Sequence, residues 1–186
     1  MSELFEIRNT SIPGCLLINP RVLSDERGLF VKTYHREAYA SMGLELPLAE
    51  EYYSVSHRRV LRGLHFQTLP MDVIKLVHCI HGEVVDAVVD LRVGSPTYGK
   101  HEVLELSGEK GSMLYVPSGL AHGFYVLSPQ AILVYKVSKV YSTECDTGIH
   151  WASAGIPWPD PNPVVSKRDQ EFVPFSEFRS PFKFGD

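Results

Sequence analysis

Apolar residues recur along this chain in short runs with a spacing of two, and almost nowhere at the spacing that a helix face needs. From Glu50 onward the runs lie at 51–56, 60–66, 73–80, 83–91, 101–106, 112–116, 122–127 and 131–140. Turn chemistry divides them, at His81-Gly82, Gly94-Ser95-Pro96, Ser107 to Gly111, Pro117-Ser118-Gly119 and Ser128-Pro129. Many short strands at this spacing predict an all-β sandwich or jelly-roll barrel. Two earlier runs, 14–18 and 29–34, predict strands before and after the turn Asp25-Glu26-Arg27-Gly28. Residues 35–42 hold good helix formers and stop at Gly43, which predicts one short N-terminal helix. Val84 to Leu91 is apolar on both faces apart from Asp86 and Asp90, the pattern of a central strand with both aspartates on one face. After Tyr141 the texture changes to turns and prolines, with Pro157, Pro159, Pro161 and Pro163 around Trp158. A proline-rich C-terminal tail that wraps the barrel is expected, because two tryptophans and Phe172, Phe175 and Phe178 need burial.

Composition narrows the class without changing that picture. A length of 186 residues fits one folded domain, 1–186, large enough to bury a core without disulfides or a structural metal. A net charge of −4 provides no global basic field for nucleic acid or an anionic membrane, so a phosphate partner must be met by a few local cations. Cys15, Cys79 and Cys145 are odd in number and far apart, which favours a reducing compartment over a disulfide framework or zinc site. The stretch Met1 to Glu6 lacks a basic region followed by an apolar one, and no run approaches a membrane span, so a cytoplasmic location is expected.

Candidate chemistry centres on Arg62-Gly63-Leu64-His65-Phe66-Gln67, with Lys75 ten residues after the histidine. One imidazole between apolar strand neighbours suits a general base whose protonation its surroundings set. Further on, Gly111 to His122 fits the second motif of the cupin superfamily, Gly-x5-Pro-x-Gly-x2-His. Metal-binding cupins add a His-x-His pair in a first motif; here the residues around His65 are Leu-His-Phe-Gln, too few ligands for a metal site. No metal is expected.

The runs Leu61 to Gln67, Lys75 to Val77, Gly82 to Val84, Val89 to Arg92, Ser95 to Thr97, Val116-Pro117, Ala121 to Phe124, Tyr135-Lys136, Trp158-Pro159 and Ser166 to Asp169 carry a resemblance, in order and with matching gaps. Together they resemble the dTDP-4-dehydrorhamnose 3,5-epimerase family. The resemblance implies a cupin-like jelly roll that works as a homodimer without metal or cofactor, on nucleotide-diphosphate-linked 4-keto-6-deoxyhexoses of deoxysugar and O-antigen biosynthesis. It implies His65 as the base, Asp169 as the carboxylate that orients it, Lys75 beside the developing enolate and Tyr135 as the acid on the other face. Taken singly, these would be a core histidine, a turn carboxylate, an exposed strand lysine and a core tyrosine. By the same resemblance Arg27 and Arg62 bind the diphosphate, with Arg168 as a third cation. Asp86 and His122 line the cavity, and Phe30 and Tyr141 flank the nucleotide. Residues 1–50 are expected to contribute strands to the dimer interface, so Arg27 and Phe30 could act on the partner's site.

One segment departs from that family. Where its members usually show Gln-Asp-Asn-His-Ser, this chain has Glu50-Glu51-Tyr52-Tyr53-Ser54, which exchanges two amides for a carboxylate and a phenol on the nucleotide side. Glu50 could accept the amino donor of cytosine, so a CDP-linked 4-keto sugar competes with the dTDP-linked one as substrate. A 3- or 5-mono-epimerase on the same scaffold and a non-catalytic ligand-binding cupin compete with the 3,5-epimerase as the function.

Overall fold

The computed structural model describes residues 4–44 and 46–185; Met1-Ser2-Glu3 of the N-terminal stretch, Glu45 and Asp186 lie outside the described residues. The chain is mostly β-sheet. Its strands are β1 (Phe5–Asn9), β2 (Leu16–Pro20), β3 (Val22–Asp25), β4 (Gly28–Val31), β5 (Glu50–His57), β6 (Leu61–Gln67), β7 (Lys75–His81), β8 (Glu83–Asp90), β9 (His101–Ser107), β10 (Met113–Val116), β11 (Leu120–Val126), β12 (Gln130–Val137) and β13 (Asp146–Gly148). Among the described residues there are two short α-helices, α1 (Arg36–Ser41) and α2 (Lys167–Gln170), and a 3-10 turn at Phe175–Glu177. The expected helix at 35–42 is one residue shorter at each end, because the His35 imidazole serves as its N-cap by accepting from the Ala38 N–H at 3.3 Å. No helix among the described residues is long and apolar enough to cross a membrane.

Two antiparallel sheets form the walls of the barrel, one in the order β1-β2-β10-β7-β12-β5 and the other β13-β6-β11-β8-β9. Alternation decides what fills the space between them. The inward row of β12 is Ala131, Leu133, Tyr135 and Val137, and that of β11 is Leu120, His122, Phe124 and Val126, so one main core draws on both sheets. Burial of its large apolar side chains is worth about 1.5–3 kcal/mol each. Polar residues of β7, β8, β11 and β12, namely Lys75, Asp86, His122 and Tyr135, are buried as well.

The outer faces are covered as well. Tyr39 of α1, with Leu44 and Leu46, packs on Ile18, Leu76 and Met113 of the six-stranded sheet. On the five-stranded sheet, Leu64, Phe66, Ala87 and Val89 meet Ile149, Ile156 and Phe182 from the C-terminal segment. Burial on both faces explains why β8 reads as a continuous apolar run. The two tryptophans and Phe172, Phe175 and Phe178 are half-buried rather than buried; Ile156 and Phe182 hold the fully covered positions.

Candidate active site

Two glycines bring the histidine-bearing strands together. Gly63 has φ +136°, and a Cβ there would stand 2.6 Å from the Gly123 Cα; a Cβ on Gly123 would meet the Arg62 carbonyl at 2.7 Å. Only glycine fits either place. The close approach coincides with a register shift between His122 and Phe124, and it leaves His65 directly opposite His122 on the neighbouring strand.

His65 donates or accepts at Nε2 with Asp169 Oδ1, 2.9 Å away, although 104 residues separate them. Several local devices deliver that carboxylate. β13 pairs with the end of β6, Val164 bridges to Val60, and the Ser166 hydroxyl caps α2 by accepting from the Asp169 N–H at 3.1 Å. The second oxygen, Oδ2, accepts from the Gly63 N–H at 3.1 Å. Burial opposes ionisation of Asp169, but the hydrogen bond and attraction of His65, with the Gly63 and Ser166 hydrogen bonds, outweigh it and hold its pKa below the usual carboxylate value. An ionised Asp169 can only accept, so Nε2 carries the hydrogen and, in the neutral ring, Nδ1 is left as the basic nitrogen.

The facing wall supplies the other groups. Lys75 begins β7, is buried, and reaches across to donate from Nζ to the His65 carbonyl at 3.0 Å. Burial brings its pKa down from 10.5 to about 8, against the attraction of Asp146 and Asp86. Tyr135, on β12, is buried too, and burial raises its phenol far above the ordinary range, with Ser54 opposing and Asp86 and Tyr52 adding to the rise. It keeps its proton. His122 binds Asp86 through Nε2 at 2.8 and 3.0 Å, both side chains being enclosed, and its ring meets Tyr135 edge-on with centroids 6.2 Å apart.

These residues open onto one cavity of about 360 Å³. His65, Lys75, Tyr135 and His122 line it, as do Glu50, Tyr52, Arg62, Tyr141 and Arg168, while Asp169 and Asp86 stand behind their histidines. Arg62 is anchored by donating from Nε to Ser56 Oγ at 2.9 Å, and Arg168 pairs with Asp146 at 2.6 Å. Glu50 Oε2 accepts from the Tyr141 N–H at 2.8 Å, which occupies part of the carboxylate that the sequence offers to a base. Arg27 and Phe30 are elsewhere: they sit on the separate β3–β4 ribbon, Arg27 paired with Asp25 and Phe30 63% exposed, and neither lines this cavity.

Four polar liners escaped the sequence reading: Ser54, Gln67, Lys139 and Asp146. Gln67 and Lys139 are each held by hydrogen bonds to neighbouring segments. Gln67 donates to the Met71 carbonyl at 2.8 Å and accepts from the Ser142 N–H at 2.7 Å, and Lys139 binds Asp72 at 2.8 Å. Gln67 stands at the end of the Leu61 to Gln67 motif, which was its available signal; Lys139 and Asp146 had none. Among the described residues no three His, Cys, Asp or Glu side chains gather as metal ligands.

A base backed by a carboxylate on one wall, with a buried lysine and a protonated phenol on the other, suits proton removal and return beside a carbonyl. Comparison with known proteins points the same way. The family model for dTDP-4-dehydrorhamnose 3,5-epimerase matches residues 9–177. The dTDP-4-dehydrorhamnose 3,5-epimerase of Shigella flexneri is 42% identical over 170 residues, covering 88% of this chain and 94% of its own. A dTDP-4-dehydrorhamnose 3-epimerase of Streptomyces niveus is 39% identical over 93% of this chain and 85% of its own. The crystal structure of the Legionella pneumophila 3,5-epimerase with dTDP-4-keto-L-rhamnose superposes with a TM-score of 0.89 at 35% identity, covering 94% and 95% of the two chains. With motif, architecture and cavity in agreement over nearly its whole length, this chain belongs to the dTDP-4-dehydrorhamnose 3,5-epimerase family.

Proposed function

We propose that this enzyme inverts C3 and C5 of a dTDP-linked 4-keto-6-deoxyhexose by removing a proton on one face of the sugar and returning one on the other. The observation that carries this reading is the origin of His65 and Tyr135 on opposing sheets that share one cavity. His65 Nδ1 takes the proton beside the C4 ketone, and the C–H electron pair moves into the carbonyl to leave an enolate oxygen. The Lys75 ammonium lowers the energy of that oxygen, whose charge develops in the transition state and is complete in the enolate. Tyr135 then gives its hydroxyl proton to the carbon from the opposite face, and solvent reprotonates the phenolate and takes the proton from His65. Repetition at the second carbon completes the reaction. Arg62 and Arg168, which line the cavity, suit the diphosphate, and Tyr141 suits the base.

Nuclear magnetic resonance of the product formed from dTDP-4-keto-6-deoxyglucose tests this directly. Inversion at both carbons is expected, and recovery of unchanged substrate with active controls present would contradict it. A second reading, inversion at C3 alone, is favoured by the similarity to the Streptomyces niveus 3-epimerase and would show as a product inverted at one carbon.

The working form we propose is a cytoplasmic homodimer. The exposed β3–β4 ribbon holds Leu23, Leu29 and Phe30 away from its own barrel, which supports a role for Arg27 and Phe30 at a partner's cavity. Light scattering is expected to give twice the 20.9 kDa of one chain.

A further inference from the structure

Tyr135 has a neighbour that the mechanism above does not use. β5 is one of the two edge strands of the six-stranded sheet, and its register sets Tyr52 directly across from Tyr135 on β12. The rings stack with centroids 4.9 Å apart and planes 18° from parallel, and both residues line the cavity. Directly opposed aromatic pairs of this kind hold each other's orientation. The second ring contact of Tyr135, the edge of His122, comes from the other sheet and is fixed by Asp86. Ser54 of the same strand acts on the Tyr135 hydroxyl, and Tyr52 is the contact through which the strand holds the plane of the ring.

We infer that Tyr52 is a positioning residue for Tyr135: its ring holds the phenol in line with the carbon to be reprotonated, and so sets the fraction of enolates that are inverted rather than returned unchanged. The inference rests on the epimerase reading of the cavity. The physical basis is competition. Once His65 has removed a proton, the enolate can be reprotonated by His65 on the original face or by Tyr135 on the other. Only the second event inverts the carbon. A phenol free to swing from its line of attack loses that competition, while proton removal by His65 goes on as before. A residue needed only for folding would lower both events together.

The test uses the full-length protein, dTDP-4-keto-6-deoxyglucose in deuterium oxide, and the variants Tyr52→Ala and Tyr52→Phe. Two quantities are read: deuterium entering sugar that has kept its configuration, and the rate of inverted product. In Tyr52→Ala, inversion is expected to fall roughly three- to tenfold, the range a stacked aromatic pair supports, while uptake without inversion holds or rises. Tyr52→Phe keeps the stacking ring and is expected to keep the parent's ratio. The inference is overturned if the two quantities fall in parallel in Tyr52→Ala, if its ratio matches the parent's, or if Tyr52→Phe shifts the ratio as far as Tyr52→Ala. A parent enzyme showing neither uptake nor inversion overturns the epimerase reading itself, so the two failures are told apart by the parent's behaviour.

Discussion

His65 and His122 face each other on adjacent strands and each holds a carboxylate through Nε2, yet their surroundings differ in a way that separates their tasks. The side chain of His65 is 29% exposed, on the cavity, and its carboxylate arrives from a C-terminal segment 104 residues away. The side chain of His122 is 4% exposed, and Asp86 comes from the neighbouring strand β8 with no exposure at all. The first pair can exchange a proton with a ligand. The second, whose imidazole borders the cavity but is almost wholly enclosed, offsets the cost of a carboxylate shut inside the barrel. An imidazole beside a carboxylate therefore does not define a base; access does.

Substitution at each pair should split activity from stability. The largest effect is expected at His65: His65→Asn should lower kcat/KM by about 10²–10⁴ with little change in melting temperature, measured by product formation and calorimetry. Asp169→Asn should cost less, about 10–100-fold, because it acts by fixing the ring rather than by taking the proton. His122→Ala should reverse the pattern, with kcat/KM within about tenfold of the parent but stability lower by about 3 kcal/mol, a shift of roughly 6–12 °C, because Asp86 is left buried and unpaired. A His122 variant less active than His65→Asn would break the distinction.

The smallest effect is one of pH. Lys75 loses its charge as pH rises through about 8, so kcat/KM should fall up to tenfold per unit above that value. Stability should move the other way. With a native pKa of about 8 and an unfolded one of 10.5, the unfolded chain binds more protons between those values, and stability contributed by Lys75 rises with pH across that window. Falling activity over a steady or rising melting temperature distinguishes this from alkaline unfolding.

Much of the fold was legible because alternation survives where a strand has one apolar face or two, as the runs that became β5 to β12 show. β1, β3 and β13 were missed. Phe-Glu-Ile-Arg-Asn and Asp-Thr-Gly carry too little apolar pattern, and each is a strand only because a neighbour, β2 or β6, presents an edge to it. The site divides in the same way. His65, Lys75 and Tyr135 were marked by family resemblance, and alternation accounts for their placement on inward rows. No periodicity links Asp169 to His65; that contact depends on the Val60–Val164 bridge, the pairing of β13 and a capped helix of four residues. Lys139 and Asp146 were invisible for a related reason, since the segment after β12 and the short strand β13 bring them to the cavity and their ion-pair partners, Asp72 and Arg168, are distant in sequence.

Proton removal by the His65 imidazole is tested most directly by solvent deuterium uptake at C3 and C5, measured for the parent and for His65→Asn side by side. The parent should place deuterium at both carbons of the inverted product, and His65→Asn, folded and still binding dTDP, should place it at neither. Uptake that persists in His65→Asn would contradict the assignment and pass the role of base to another group in the cavity.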